Sequence, residues 1–191
     1  MDIKIDNLSK RYGDKQIFHQ FSCLFPFEKT TAIMGPSGCG KTTLLSLLMG
    51  LTPYEQGTIT GLEDKTITAV FQEDRLCENI SPLYNLRLTT PKDFSQEALS
   101  CPLLQAGLTS SELTEPVRTF SGGMKRRVAL VRALITPGNL LLMDEPFQGL
   151  DDGTRQQMIA LVKAYSKKKT LLLVTHSLWE AQELGADILQ L

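Results

Sequence analysis

Gly35-Pro36-Ser37-Gly38-Cys39-Gly40-Lys41-Thr42 is the stretch whose reading decides how this chain folds. It fits G-x-x-x-x-G-K-[ST], a phosphate-binding loop whose glycines let the backbone close around phosphate oxygens with several N–H groups pointing inward. Thr30-Thr31-Ala32-Ile33-Met34 before it reads as a short strand. Lys41 to Met49 after it carries Leu44, Leu45, Leu47 and Leu48, stops at Gly50, and reads as a helix. The helix start adds the positive end of its dipole. Lys41 is expected to bring a full charge toward the β- and γ-phosphates, and Thr42 a hydroxyl for Mg²⁺. The candidate nucleotide-binding residues here are therefore Gly35, Pro36, Ser37, Gly38, Cys39, Gly40, Lys41, Thr42 and Thr43. Cys39 holds a free position of the pattern and reads as a small filler rather than a redox switch.

A phosphate loop of this kind needs an acid at a strand end. Leu140-Leu141-Leu142-Met143-Asp144-Glu145 supplies one: an apolar run that breaks into two adjacent carboxylates. Successive strand residues point to opposite faces, so the two acids are expected to do different work. Asp144 is the candidate Mg²⁺ residue, and Glu145 the candidate general base that polarises the attacking water.

Outward from these two stretches, strands alternate with helices. Ile3, Ile5 and Leu8, then Phe21 to Phe27, predict strands in the first thirty residues, and Thr66 to Phe71 predicts another. Later come a helix from about Asp152 to Lys167, a strand Leu171 to Val174, a short helix from Ser177 and a strand Asp187 to Leu191. Between about Asp74 and Thr136 the pattern is helical, broken at Pro82, Pro91, Pro102 and Pro116. Its clearest helix repeats Met124, Val128, Val131 and Ile135, with Lys125, Arg126 and Arg132 elsewhere around the axis. The expected fold is α/β: a P-loop NTPase core, a mostly parallel sheet with helices on both faces, plus N-terminal antiparallel strands and an inserted α-helical subdomain. We expect one domain over 1–191, with 1–73 and 137–191 forming the core and 74–136 the helical part.

Composition narrows the function. The 191 residues carry a formal net charge of -1, so no basic field draws the chain to nucleic acid. Cys23, Cys39, Cys77 and Cys101 form no C-x-x-C pair and read as reduced thiols. No stretch reaches the ~18 apolar residues of a membrane span. His19 matches no pattern and reads as structural.

A phosphate loop with these acids also suits a small-molecule kinase, a GTPase or a motor ATPase. Ser121-Gly122-Gly123-Met124, followed by Lys-Arg-Arg-Val-Ala-Leu, strongly resembles the signature motif of ABC ATPases. The other marks stand in that family's order. Gln72, after Ala69-Val70-Phe71, resembles the Q-loop glutamine, which implies Mg²⁺ sensing and contact with a membrane partner. Tyr12 in Ser-Lys-Arg-Tyr-Gly resembles the aromatic that stacks on adenine, and His176 the switch histidine that contacts the γ-phosphate. The resemblance implies catalytic roles for Glu145, His176 and Gln72, ATP as the bound nucleotide, and Mg²⁺ at Thr42, Gln72 and Asp144. It also implies a head-to-tail homodimer, or a pair with a second ATPase subunit, each ATP lying between one P-loop and the other chain's Ser121, Gly122 and Gly123.

Two features depart from the family pattern. The D-loop, commonly serine-alanine-leucine-aspartate, reads Gln148-Gly149-Leu150-Asp151, which keeps Asp151 and leads us to expect a looser turn at Gly149. The chain also stops at Leu191, which predicts no C-terminal regulatory domain. The wording around Gln72 resembles importers of the nitrate, sulfonate, taurine and thiamine group. That implies an integral membrane permease as partner, a possible extracellular solute-binding protein, no nucleic acid, and a peripheral place on the cytoplasmic face of the membrane. The alternative is a soluble family member of the DNA repair or translation type, although the chain has neither tandem ATPase units nor coiled-coil insertions.

Overall fold

The computed structural model describes residues 1–191, and the chain packs as two units. The first takes Met1–Ile67, Gly138–Asp144 and Lys168–Leu191; the second takes Thr68–Pro137 and Glu145–Lys167. These bounds differ from the sequence reading in grouping Thr68–Glu73, Pro137 and Glu145–Lys167 with the helical part.

The first unit opens with two long antiparallel strands, β1 (Ile3–Tyr12) and β2 (Lys15–Phe25). A two-residue turn, Gly13-Asp14, joins them, and Ile3, Ile5, Leu8, Phe18 and Phe25 are buried. Next come β3 (Thr30–Met34), the helix α1 (Lys41–Leu48) and β4 (Gln56–Thr60). β4 pairs antiparallel with β1 and was invisible in the sequence. Its residues Gln-Gly-Thr-Ile-Thr are nearly all exposed, so no apolar alternation marks it.

The chain crosses into the second unit within β5 (Ile67–Val70) and builds α2 (Pro82–Arg87), α3 (Gln96–Gln105) and α4 (Gly122–Ile135). Ser81, Ser95 and Ser121 cap the three helices, each accepting a backbone N–H three residues on. Of the predicted stripe of α4, Val128, Val131 and Ile135 are buried, with Ala129, Leu130 and Leu134 beside them, while Met124 near the helix start is half-buried. No strand lies between Asp74 and Thr136.

β6 (Leu140–Asp144) returns to the first unit, α5 (Asp152–Tyr165) belongs to the second, and β7 (Thr170–Val174), α6 (Leu178–Glu183) and β8 (Asp187–Gln190) complete the first. β6, β7, β3 and β8 lie side by side in that order, all parallel. Every residue of β6 and β7 is buried, as expected of strands covered on both faces. Ala32 and Met34 of β3 pack with Ala181 of α6. The fold is thus α/β with a parallel sheet, N-terminal antiparallel strands and an inserted helical part.

Candidate active site

In the first unit, β3 runs into the glycine loop and α1 begins at Lys41. Gly40 caps α1 with φ 108°, and a Cβ there would lie 2.6 Å from Ile17 Cγ2 and 2.9 Å from Phe18 Cζ. Only glycine suits that position. Lys41 is buried for a charged residue, 7% exposed, because its Nζ donates to the carbonyls of Gly35 (2.8 Å) and Pro36 (3.0 Å). The ammonium is thereby held under the loop's own backbone, where a phosphate would meet it.

Thr42 Oγ1 donates to Asp144 Oδ2 at 2.7 Å. The two residues come from opposite parts of the sequence, yet the sheet brings the end of β6 to the start of α1. A hydroxyl and a carboxylate oxygen side by side are hard oxygen donors, and they fit Mg²⁺.

His176 follows β7 and is exposed, on a turn fixed by buried neighbours. Thr175 Oγ1 donates to the Glu180 carboxylate and accepts the Ser177 N–H at 3.0 Å, while Ser177 Oγ accepts the Glu180 N–H at 3.3 Å. Thr175 and Glu180 are both under a tenth exposed. Tyr12, at the tip of β1, is 50% exposed.

The second unit holds the remaining candidates. Gln72 is exposed just past β5. Ser121 Oγ accepts the Met124 N–H at 3.3 Å, leaving Ser121 and Gly122 exposed at the start of the fourteen-residue α4. The positive end of that helix suits an anion. Glu145 is half-buried with φ 47°, a left-handed conformation that costs a non-glycine residue about 1–3 kcal/mol and is concentrated at functional sites. Asp151 caps α5, accepting the Thr154 N–H at 3.0 Å; hydrogen bonds from the Thr154 backbone and side chain lower its pKa. The turn before it is not loose. Gln148 N–H donates to Glu145 O at 3.2 Å, Leu150 N–H to Phe147 O at 3.3 Å, and Gly149 takes φ 77°, which glycine adopts without strain.

Sequence reasoning missed the residue that organises this half. Arg126, placed by the periodicity among the polar positions of α4, is 5% exposed. Its guanidinium donates to the carbonyls of Glu145 (2.6 Å), Pro146 (2.9 Å), Phe71 (2.7 Å) and Gln72 (3.4 Å), and to Asp74 Oδ1 (3.1 Å). One side chain therefore ties the Gln72 segment to the Glu145 segment. Glu180 escaped notice too, since the sequence offers only an acid three residues past Ser177.

A strand, a glycine loop and a helix whose threonine bonds the terminal acid of β6 define a P-loop nucleoside triphosphatase. The sequence profile of ABC transporters matches residues 18–148. A thiamine import ATP-binding protein of Mesorhizobium japonicum is 35% identical, over 97% of this chain and 79% of its own length. An aliphatic sulfonates import ATP-binding protein of Paracoccus denitrificans is 35% identical, over 99% of this chain and 78% of its own. Among solved structures, the dimer of an ATP-binding cassette in a post-hydrolysis state with ADP and Pi superposes with a TM-score of 0.85 at 25% identity, covering 99% of this chain and 94% of that one. This chain belongs to the ABC transporter family and is one of its ATP-binding, ATP-hydrolysing subunits.

Proposed function

We propose that the chain works as one ATPase domain that dimerises head to tail around two ATP molecules and powers solute uptake through a separate membrane permease. Its place is peripheral, on the cytoplasmic face of the membrane, with an extracellular solute-binding protein delivering the solute. No helix here is long and apolar enough to cross a membrane. Two relatives are named for import, and the wording around Gln72 agrees with them. The helical part, 74–136, is the arm that meets the permease.

The observation that carries the catalytic reading is the Thr42–Asp144 hydrogen bond beside a buried, backbone-held Lys41. Lys41 and the loop N–H groups bind the β- and γ-phosphates, and Tyr12 stacks on the adenine. Thr42 and Asp144, with Gln72, would hold Mg²⁺, which when bound offsets phosphate charge. Glu145 accepts the proton of the attacking water as its oxygen bonds to the γ-phosphorus and the bond from that phosphorus to the β–γ bridging oxygen breaks, releasing ADP and phosphate, while His176 holds the γ-phosphate in line. From the partner chain, Ser121, Gly122 and Gly123 would close on the same phosphate, and Asp151 would brace that contact.

Separating binding from turnover tests this. Lys41→Ala removes the charge under the loop and should abolish nucleotide binding and hydrolysis together. Glu145→Gln keeps the shape and should retain ATP while slowing hydrolysis roughly 10²–10⁴-fold. Hydrolysis at the parent rate by Glu145→Gln would show that the base is another residue.

A further inference from the structure

A charge sits almost fully buried beneath the proposed adenine platform. Lys10 is 5% exposed, and its Nζ lies 4.8 Å from the centroid of the Tyr12 ring, within the range of a cation–π contact. The two residues are separated by one position on β1, so they share a face of the strand. Glu55, at the entry to β4, fixes the pair from the side. Its Oε1 is 3.3 Å from Lys10 Nζ, its Oε2 accepts the Arg11 N–H at 2.9 Å, and its own N–H donates to Ser9 O at 3.0 Å. The β1–β2 ladder shifts register on both sides of Lys10, so this segment departs from regular pairing where the lysine turns in.

We propose that Lys10, held by Glu55, is a positioning residue for the nucleotide: it occupies one face of the Tyr12 ring and so presents the other face to the purine base. Half of the Tyr12 surface is exposed, which matches a ring with one covered and one open face. A tyrosine at a hairpin tip would otherwise be free to rotate about its side-chain bonds, and a base would have to pay that ordering cost on binding. A buried ammonium is a poor device for stability alone, since an apolar side chain of similar volume would serve as well. Its placement against an aromatic face points to orientation.

The inference rests on Tyr12 as the adenine platform, and the test separates the two. ATP and inorganic tripolyphosphate, which has the charge but no base, are titrated calorimetrically into the full chain and into Lys10→Met, Lys10→Arg, Tyr12→Ala and the double variant Lys10→Met/Tyr12→Ala. Lys10→Met should weaken ATP about threefold to tenfold and leave tripolyphosphate unchanged, in keeping with the cost of ordering one side chain on binding. Lys10→Arg, which can still cover the ring and reach Glu55, should recover most of the loss. The double variant should bind ATP no worse than Tyr12→Ala. Parent-like ATP affinity in Lys10→Met, alongside a weakened Tyr12→Ala, overturns the role of Lys10 alone. Equal weakening of ATP and tripolyphosphate overturns it too, because the lesion would then be in the fold. Parent-like ATP affinity in Tyr12→Ala overturns the platform itself, and Lys10 with it.

Discussion

Replacing Arg126 with methionine removes a buried guanidinium but keeps a chain of similar length. Four carbonyl oxygens, of Phe71, Gln72, Glu145 and Pro146, and one Asp74 carboxylate oxygen lose a donor at 2.6–3.4 Å. Removing one partner of a buried ion pair costs about 3–5 kcal/mol. Asp74 keeps 24% of its side-chain surface in water, which favours the lower end, about 3 kcal/mol. For a chain of this size each kcal/mol moves the melting temperature by about 2–4 °C, so Arg126→Met should melt about 6–12 °C lower.

The functional loss has its own signature. The carbonyls Arg126 holds belong to the segments carrying Gln72 and Glu145, whereas the phosphate loop is built in the other unit. ATP should still bind while turnover falls. Arg126→Lys should not rescue it, because an ammonium is a point donor and cannot span carbonyls in both segments as the planar fork does. Calorimetric melting, nucleotide binding and ATPase rate on the same three proteins decide it. Melting within 2 °C of the parent, with parent-like turnover in Arg126→Met, would refute the clamp.

Mixing Lys41→Ala with Ser121→Arg should restore ATPase activity if sites are shared between chains. Random exchange leaves up to about a quarter of sites whole, and recovery of neither ATPase activity nor ATP-dependent dimerisation, with both variants folded and exchanging freely, would exclude a head-to-tail pair. Burial pushes the Cys23 thiol up to about 12, so an alkylating reagent at pH 8 should modify the exposed Cys77 and Cys101 well before the half-buried Cys23. Modification of Cys23 at the rate of Cys77 in the native protein would contradict that. The Asp151 carboxyl titrates below its ordinary value of about 3.9, so its cap supports folding above that pH and is lost as pH falls through the lowered value. The melting difference between parent and Asp151→Ala should therefore be full at pH 7 and shrink as the pH is lowered past the ordinary carboxylate value of about 3.9.

What the sequence made legible shares one property: the structure reads it through a local pattern. The glycine loop, the apolar run ending at Asp144 and the α4 periodicity are backbone and burial rules written in adjacent letters. Each reappears in place, with β3 over Thr30–Met34 and α1 starting at Lys41. β4 stayed hidden because an exposed edge strand has no apolar face to announce it. Gly149 was misjudged for a related reason. A glycine signals either looseness or a left-handed backbone, and only φ, here 77°, tells them apart.

Arg126 and Lys10 stayed hidden for a deeper reason. A charged residue in a helix or strand reads as solvated, since burying a charge is costly unless it is paired and hydrogen-bonded. In both cases the compensation comes from far along the chain. Arg126 finds carbonyls near positions 72 and 145, and carbonyls have no letter in the sequence. Lys10 finds Glu55 and an aromatic face. A buried cation is therefore a sign that distant segments must be held in register. Here one such cation joins the segments of the proposed base and the Gln72 loop, and the other seats the proposed platform for the nucleobase. Removing either cation should therefore weaken the chemistry proposed for the motif residues while leaving each motif itself intact.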